Sequence, residues 1–237
     1  MGGIMQTTVG ILGGMGPLAT AKFYEKIVRH TPATNDQNHL ICHIYSIPNI
    51  PDRTAYILDN TQESPLTKMR HYLTEMANQA TVLVIPCITA MYFYPEIKDI
   101  GNLIYFPKIV LSQLIEQGHT RIGILSTKGT IKGKVFDTAL TDLTHTQNVT
   151  LVYPTDILQA EMMALIYGIK AGQTPDVSQF DAIERYFKSQ NVDVIILGCT
   201  ELSLIAHQLT TREMCYVDAL DILAQHVVKV SQIQKTC

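Results

Sequence analysis

The sequence has few charged residues, and they form no basic cluster. Aspartate, glutamate, lysine and arginine make up 16% of the 237 residues and give a formal net charge of −3. A protein that binds nucleic acid through the phosphate backbone concentrates lysine and arginine on one surface. No such stripe occurs here, so we predict a protein without a nucleic-acid partner.

Long apolar runs and a disulfide framework are also absent. The longest apolar runs, 82–86 and 194–197, are far shorter than the roughly 20 residues of a membrane-spanning helix. The N-terminal residues MGGIMQTTVGILGG have no positively charged start, so we predict no signal peptide. Five cysteines are an odd number with no compact spacing. These absences predict a cytoplasmic protein with free thiols and no membrane partner.

No motif for a metal or a dinucleotide is present. The histidines form no HExxH and the cysteines no CxxC, so we predict no metal. The turn GGMGP at 13–17 is similar to a dinucleotide loop, but its spacing differs and no acidic residue ends the next predicted strand, 40–45. We therefore predict no nucleotide cofactor. The glycines instead allow a tight turn and close approach of a substrate beside Met15.

Short apolar runs alternate with amphipathic stretches, which is typical of an α/β fold with mainly parallel strands flanked by helices. Strands are predicted at 8–13, 40–45, 81–86, 102–105, 121–125, 149–153, 193–197 and 214–217. Helices are predicted at 17–30, 64–79, 90–99, 108–117, 131–143, 156–169, 178–189, 201–208 and 218–232.

Two pairs of segments indicate an internal repeat. VGILGGMGP at Val9 parallels IGILSTKGT at Ile122, an offset of 113 residues. VLVIPCITA at Val82 parallels VIILGCTEL at Val194, an offset of 112 residues. The shared offset predicts two pseudo-symmetric subdomains. We place the first at 1–107 plus 214–237 and the second at 108–213.

Each half of the repeat ends a predicted strand with a cysteine that is closely followed by threonine. Ligands of parallel sheets bind outside the carboxyl ends of the strands. We therefore expect Cys87 and Cys199 to face each other across one cleft between the subdomains. Cys42, Cys215 and Cys237 are given no role.

Two facing thiols suit the inversion of a stereocentre, because one can remove the α-proton while the other returns a proton on the opposite face. The predicted helices 90–99 and 201–208 follow Cys87 and Cys199. Their free N–H groups are expected to lower the thiol pKa values and to hold a substrate carboxylate together with hydroxyls of Thr89 and Thr200.

These motifs resemble the aspartate/glutamate racemase family, most closely its aspartate racemase branch. The resemblance rests on GILGGMGPLAT at 10–20, IPDRTAYIL at 50–58, IPCITA at 85–90, the glycine–threonine pair at 129–130 and LGCTEL at 197–202. It implies two pseudo-symmetric α/β subdomains with the active site in the cleft between them. It also implies racemisation of an acidic amino acid without pyridoxal phosphate or any other cofactor, usually by a homodimer.

The resemblance assigns the catalytic thiols to Cys87 and Cys199. The substrate-binding residues that it implies, or that lie beside those thiols, are Met15, Arg53, Ile88, Thr89, Thr127, Thr130, Lys170, Thr200 and Glu201. Arg53 would grip the distal carboxylate of aspartate in a bidentate pair. Its alternative is a surface arginine, because the surrounding segment IPNIPDRT has the composition of a loop.

Two further residues have alternatives that the sequence leaves open. Lys170 matches a family lysine over the cleft, but a cation at a helix C-terminus before a glycine cap would look the same. Glu201 either positions Cys199 or is only a favourable carboxylate in the first turn of a helix.

The sequence departs from the family beside the first cysteine, where C-N-T-A-H is usual and Cys87-Ile88-Thr89-Ala90-Met91 is present. Ile88 replaces an amide donor, which costs roughly 1–3 kcal/mol of recognition in a dry site. Two alternatives to an aspartate racemase follow. One is a two-cysteine isomerase or lyase of another small diacid, and the other is a non-catalytic amino-acid-binding homologue.

Overall fold

The computed structural model describes residues 7–144 and 146–233, in which the chain forms two parallel sheets. The first sheet contains β1 (Thr8–Gly13), β2 (Ile41–Ser46) and β3 (Val82–Val84), in the order β2-β1-β3. The second contains β4 (Arg121–Leu125), β5 (Thr150–Val152), β6 (Val194–Leu197) and β7 (Tyr216–Asp218), in the order β5-β4-β6-β7. Every neighbouring pair of strands is parallel.

Helices flank both sheets. Those of the first half are α1 (Pro17–His30), α2 (Arg53–Leu58), α3 (Leu66–Ala77), α4 (Tyr94–Ile97) and α5 (Phe106–Glu116). Those that follow are α6 (Lys128–Lys132), α7 (Val135–Thr141), α8 (Asp156–Lys170), α9 (Phe180–Ser189) and α10 (Ala219–Ile233). Short 3₁₀ helices cover Asp36–Asn38, Thr89–Phe93, Val177–Gln179, Leu202–Leu204 and Ala206–Leu209. None of the helices described is long and apolar enough to cross a membrane.

The internal repeat corresponds to two sheets of the same design. Strands β1 and β4 each lie between two neighbouring strands, and the orders β2-β1-β3 and β5-β4-β6 correspond. The register also corresponds: Val9 pairs with Val82 in the first sheet, and Ile122 pairs with Val194 in the second. These four residues start the repeated segments, so the predicted fold class of two similar parallel α/β halves is confirmed.

The C-terminal segment belongs to both halves. Strand β7 pairs with β6 in the second sheet, whereas α10 packs against α1 and α5 of the first half. Lys26 of α1 reinforces this connection, because its Nζ lies 3.0 Å from Asp218 and 2.8 Å from Asp221. The subdomain division itself stays a prediction, but these contacts place the return to the first half after β7 and not at residue 214.

Several predicted elements differ in the structure. The strand predicted at 102–105 is only a single bridge between Leu83 and Leu103. The helix predicted at 131–143 is broken by Gly133 and by Lys134, whose φ of 51° is left-handed, and so it becomes α6 and α7. The predicted helix 90–99 begins as a 3₁₀ turn and becomes α-helical only at Tyr94–Ile97, and the predicted helix 201–208 is formed by two 3₁₀ turns.

Gly14 permits the turn from β1 into α1 to pass directly over the chain that leaves β2. Its φ is +88°, and a Cβ there would lie 2.3 Å from the backbone nitrogen of Ile47. Gly118 has a similar φ of +92°, but a Cβ there would meet nothing within 4 Å. The two glycines share one conformation and differ only in the space around them.

We expect Gly118→Ala to lower the free energy of unfolding by about 1 kcal/mol, the cost of a left-handed non-glycine residue. Gly14→Ala should cost about 3 kcal/mol or more, because the new methyl group also overlaps backbone atoms. Urea unfolding of both variants measures the difference. Equal losses would contradict this account of the turn.

Candidate active site

One cavity between the two halves is lined by both Cys87 and Cys199. Its volume is about 10 Å³, close to the minimum that holds one water molecule. The cysteines are 7% and 6% exposed. The structure therefore brings the two thiols to one narrow cleft.

The segments after the two cysteines differ from the sequence prediction. Cys87 is followed by the 3₁₀ helix Thr89–Phe93, and Cys199 by the 3₁₀ helix Leu202–Leu204. Neither thiol lies at the start of a regular α-helix. The helix dipole therefore contributes little to the chemistry of either thiol, because a few aligned peptide units give only a small dipole.

Glu201 lies between Cys199 and Lys170. The thiol of Cys199 donates a hydrogen bond to Oε2 of Glu201 at 2.9 Å. The other oxygen, Oε1, lies 3.6 Å from Nζ of Lys170 at the end of α8. Oε1 is buried and, within the residues that the structure describes, accepts no hydrogen bond. Glu201 is thus in direct contact with the thiol and also has an open acceptor in the site.

The electrostatics of this group favour a protonated Cys199. Burial and the Glu201 carboxylate raise the pKa of Cys199 well above its usual value, although Lys170 opposes them. The expectation of a lowered pKa is therefore wrong for Cys199. Burial alone would lower the pKa of Lys170, but the carboxylate of Glu201 opposes it, and that pKa is held above its usual value.

Three threonine hydroxyls join the two halves beside the thiols. Oγ1 of Thr89 lies 3.0 Å from Oγ1 of Thr127 and 3.0 Å from Oγ1 of Thr130, and the latter two are 3.2 Å apart. Thr127 also caps α6 by accepting from the backbone N–H of Thr130. Thr89, Thr127 and Thr200 line the cleft. Thr130 does not line the cleft, but its hydroxyl contacts those of Thr89 and Thr127.

Arg53 is buried at 7% exposure and is the first residue of α2. The alternative of a surface-loop arginine is therefore wrong. Its Nη1 donates to the carbonyls of Ile50 and Pro51, and its Nη2 donates to the carbonyl of Met15. Nε is buried and has no partner among the residues described. One hydrogen on Nε and one on Nη2 thus have no partner among the residues described.

The two replacements beside Cys87 lie in different places. Ile88 is buried and lines the thiol cleft, where it presents a hydrocarbon surface. Met91 is also buried, but it lines a separate cavity beside Tyr94 and Tyr105. Only the isoleucine therefore changes the surface that a substrate meets.

Asp52 and Thr54 also line the cleft, and the sequence analysis did not identify them. Asp52 caps α2, since its side chain accepts from the backbone N–H of Ala55 at 2.8 Å. An aspartate three residues before that N–H is a recognisable capping signal. The proline-rich composition around it obscured the short helix. Thr54 gave no such signal.

Comparisons with known proteins agree with this geometry. The sequence profile described as Asp/Glu/Hydantoin racemase matches residues 12–227. The structure of an aspartate racemase from Picrophilus torridus has a TM-score of 0.81 and 28% identity, over 95% of this chain and 94% of that one.

Two curated relatives are also similar over much of the chain. The broad specificity amino-acid racemase RacX of Bacillus subtilis (strain 168) is 24% identical over 230 residues, which cover 93% of this chain and 96% of that protein. A glutamate racemase of Sulfurovum sp. (strain NBC37-1) is 26% identical over 170 residues, which cover 65% of this chain and 60% of that protein.

We expect Glu201→Gln to lower the pKa of Cys199, because the substitution removes the negative charge that disfavours the thiolate. The rate of alkylation by iodoacetamide, followed against pH, measures this shift, because the thiolate and not the thiol reacts. The other four cysteines are replaced by serine so that only Cys199 is alkylated. Glu161→Gln, at an exposed position on α8, is the matched control and should leave the midpoint in place. A midpoint unchanged or raised in Glu201→Gln would contradict the assignment.

Proposed function

The chain belongs to the Asp/Glu/Hydantoin racemase family, and from this premise we propose that it interconverts L- and D-aspartate, or a related acidic amino acid, with two thiols and no cofactor. That the protein is a racemase follows from the family. The proposal concerns its substrate and its mechanism. The observation that carries the mechanism is the presence of Cys87 and Cys199 on one narrow cleft.

The reaction moves one proton on each face of the substrate. The thiolate of Cys87 forms an S–H bond with the α-proton, and the electron pair of the broken C–H bond passes into the α-carboxylate. Cys199 then gives its thiol proton to the opposite face of the α-carbon and becomes the thiolate. The reverse reaction exchanges the two roles, so no external oxidant, reductant or cofactor is needed.

In the proposed cycle, Cys199 starts as the acid. Its thiol donates to Glu201, which stabilises the protonated form. Cys87 therefore begins as the base for the enantiomer whose α-hydrogen points toward it. After one turnover in that direction, Lys170 favours the Cys199 thiolate, because it is a cation within reach of Glu201 and the thiols.

The α-carboxylate binds at the threonine hydroxyls. Each hydroxyl carries one hydrogen that can rotate, so Thr89 and Thr127 can turn from each other toward a carboxylate. Thr200 lines the same cleft. Hydrogen bonds at this point also stabilise the charge that develops on the carboxylate when the α-proton leaves.

Arg53 and Glu201 bind the two remaining charged groups of an acidic amino acid. The available hydrogens on Nε and Nη2 of Arg53 are neighbours on one edge of the guanidinium, which suits a bidentate carboxylate. The open Oε1 of Glu201 suits the α-ammonium group. The unpartnered Nε of Arg53 is the observation that favours a diacid. A homodimer and a cytoplasmic location stay predictions.

We expect Cys87→Ser and Cys199→Ser each to reduce racemisation and α-proton exchange about 10³-fold or more, because the hydroxyl of serine is a far weaker acid than a thiol and does not ionise near neutral pH. Proton NMR in D₂O without added cofactor measures the loss of the α-hydrogen of aspartate. Cys215→Ser, at an exposed free cysteine, is the matched control.

Full activity in either variant would overturn the two-thiol mechanism. The same assay with maleate, arylmalonate and hydantoins tests the alternative of a different two-cysteine isomerase or lyase. Binding of aspartate that raises the melting temperature, without any exchange, would instead identify a non-catalytic homologue.

We expect wild-type protein to prefer aspartate over its uncharged isostere asparagine, and Arg53→Lys to reduce that preference about 100-fold. Lysine keeps the charge but cannot form the bidentate pair. The measurement is kcat/KM for both amino acids, with urea unfolding to account for the lost bonds to backbone carbonyls. An unchanged preference would contradict the role of Arg53 in substrate selection.

A further inference from the structure

A second, larger cavity lies next to the thiol cleft and shares five lining residues with it. Its volume is about 330 Å³, compared with about 10 Å³ between the thiols. Residues shared by the two cavities are Met15, Asp52, Arg53, Lys170 and Glu201. A substrate whose α-carbon lies between the cysteines can therefore extend its side chain past these residues into the larger space.

The larger cavity exceeds what aspartate needs. The aspartate side chain ends in a carboxylate attached to its β-carbon, so it reaches no farther than the shared residues. The larger cavity has a volume of about 330 Å³ in all. This size lies within the usual range of sites that bury a whole small ligand.

The walls of the larger cavity beyond the shared residues are mostly apolar. They include Pro17 and Leu18 at the start of α1, Ile50 before α2, Ile169 of α8 and Leu204 after β6. Apolar walls with a few polar groups at one end are typical of sites for aliphatic groups. Burial of each additional methylene group there is favourable.

The charges at the inner end compensate one another. Lys170 lies within ion-pair distance of Glu201, and Asp52 accepts a hydrogen bond from the start of α2. Arg53 donates three of its guanidinium hydrogens to backbone carbonyls. The two cations and two carboxylates at this end have a net charge of zero. An uncharged side chain that extends into the larger cavity therefore passes no net charge.

We propose that the larger cavity is a side-chain subsite, and that the racemase also acts on neutral aliphatic amino acids, with activity that rises with chain length. The proposal rests on the proposed function for the position of the α-carbon between the thiols. Arg53 then selects a carboxylate at the inner end, and the apolar walls bind chains that extend past it.

A homologous series tests the subsite. Exchange of the α-proton in D₂O is measured for L-2-aminobutyrate, L-norvaline and L-norleucine, with L-aspartate as the reference for the proposed function. Each added methylene group should raise kcat/KM about fourfold, the factor expected for its transfer from water to an apolar site.

Leu18→Asp tests the apolar wall. Leu18 is the second residue of α1 and is 62% exposed, and a carboxylate near a helix N-terminus is compatible with folding. The variant should reduce the ratio of kcat/KM for norleucine to that for 2-aminobutyrate about fivefold, since a charged group replaces an apolar contact. Ile157→Asp is the matched control, because Ile157 is the second residue of α8, is 74% exposed and lies outside the cavity.

Exchange that rises along the series, and that falls for norleucine in Leu18→Asp but not in Ile157→Asp, supports the proposal. Exchange with aspartate but none with the neutral series overturns the subsite and leaves the proposed function in place. Values of kcat/KM that do not change along the series also overturn the subsite. Equal effects of Leu18→Asp and Ile157→Asp on the kcat/KM ratio overturn it as well. No exchange with any amino acid overturns both.

Discussion

The active cleft depends on the close contact of the two halves at the carboxyl ends of their sheets. The hydroxyl of Thr89 from the first half bonds with those of Thr127 and Thr130 from the second. The backbone allows this approach because Gly129 of α6 faces Thr54 of α2, where a Cβ would lie 2.8 Å from the Thr54 Cα. A larger residue at Gly129 would separate the halves and move the loops that carry both cysteines. The weak glycine–threonine motif at 129–130 therefore has a structural reason: glycine permits the contact and threonine completes it.

Symmetry of the backbone coexists with asymmetry of the side chains. The two sheets share strand order and register, yet the residue two positions after Cys87 is Thr89, whereas the residue two positions after Cys199 is Glu201. The first contacts other hydroxyls, and the second accepts the thiol hydrogen of Cys199. The proposed reaction at two similar thiols needs one that starts protonated and one that starts ionised. The duplicated fold places the two cysteines at matched positions, and Glu201 beside only one of them makes their surroundings different.

The repeat predicted the topology well because register and strand order follow from the pattern of apolar residues along the chain. Val9 with Val82, and Ile122 with Val194, are paired as the repeat implies.

Local predictions failed where tertiary contacts decide the conformation. The segment at 50–58 has the composition of a loop, yet Asp52 caps a short helix and Arg53 turns inward to three backbone carbonyls. The expected helix after Cys199 is replaced by 3₁₀ turns, and Ser203 there bonds to Asp218 of β7. No short-range pattern contains these partners, so the sequence alone cannot specify them.

The geometry also changes the meaning of the departure beside Cys87. In the sequence, Ile88 and Met91 form one altered motif. In the structure only Ile88 faces the thiols, while Met91 fills a separate cavity. The polar groups that we propose as substrate contacts come from other elements: Arg53 from α2, Thr127 from the start of α6, and Glu201 from the loop after β6. An amide lost at position 88 therefore removes one donor from a site that keeps several.

The surface of Ile88 is apolar, as are most of the walls of the larger cavity. The replacement is consistent with a change of preferred side chain more than with a loss of catalysis, because both thiols and the carboxylate beside Cys199 are retained.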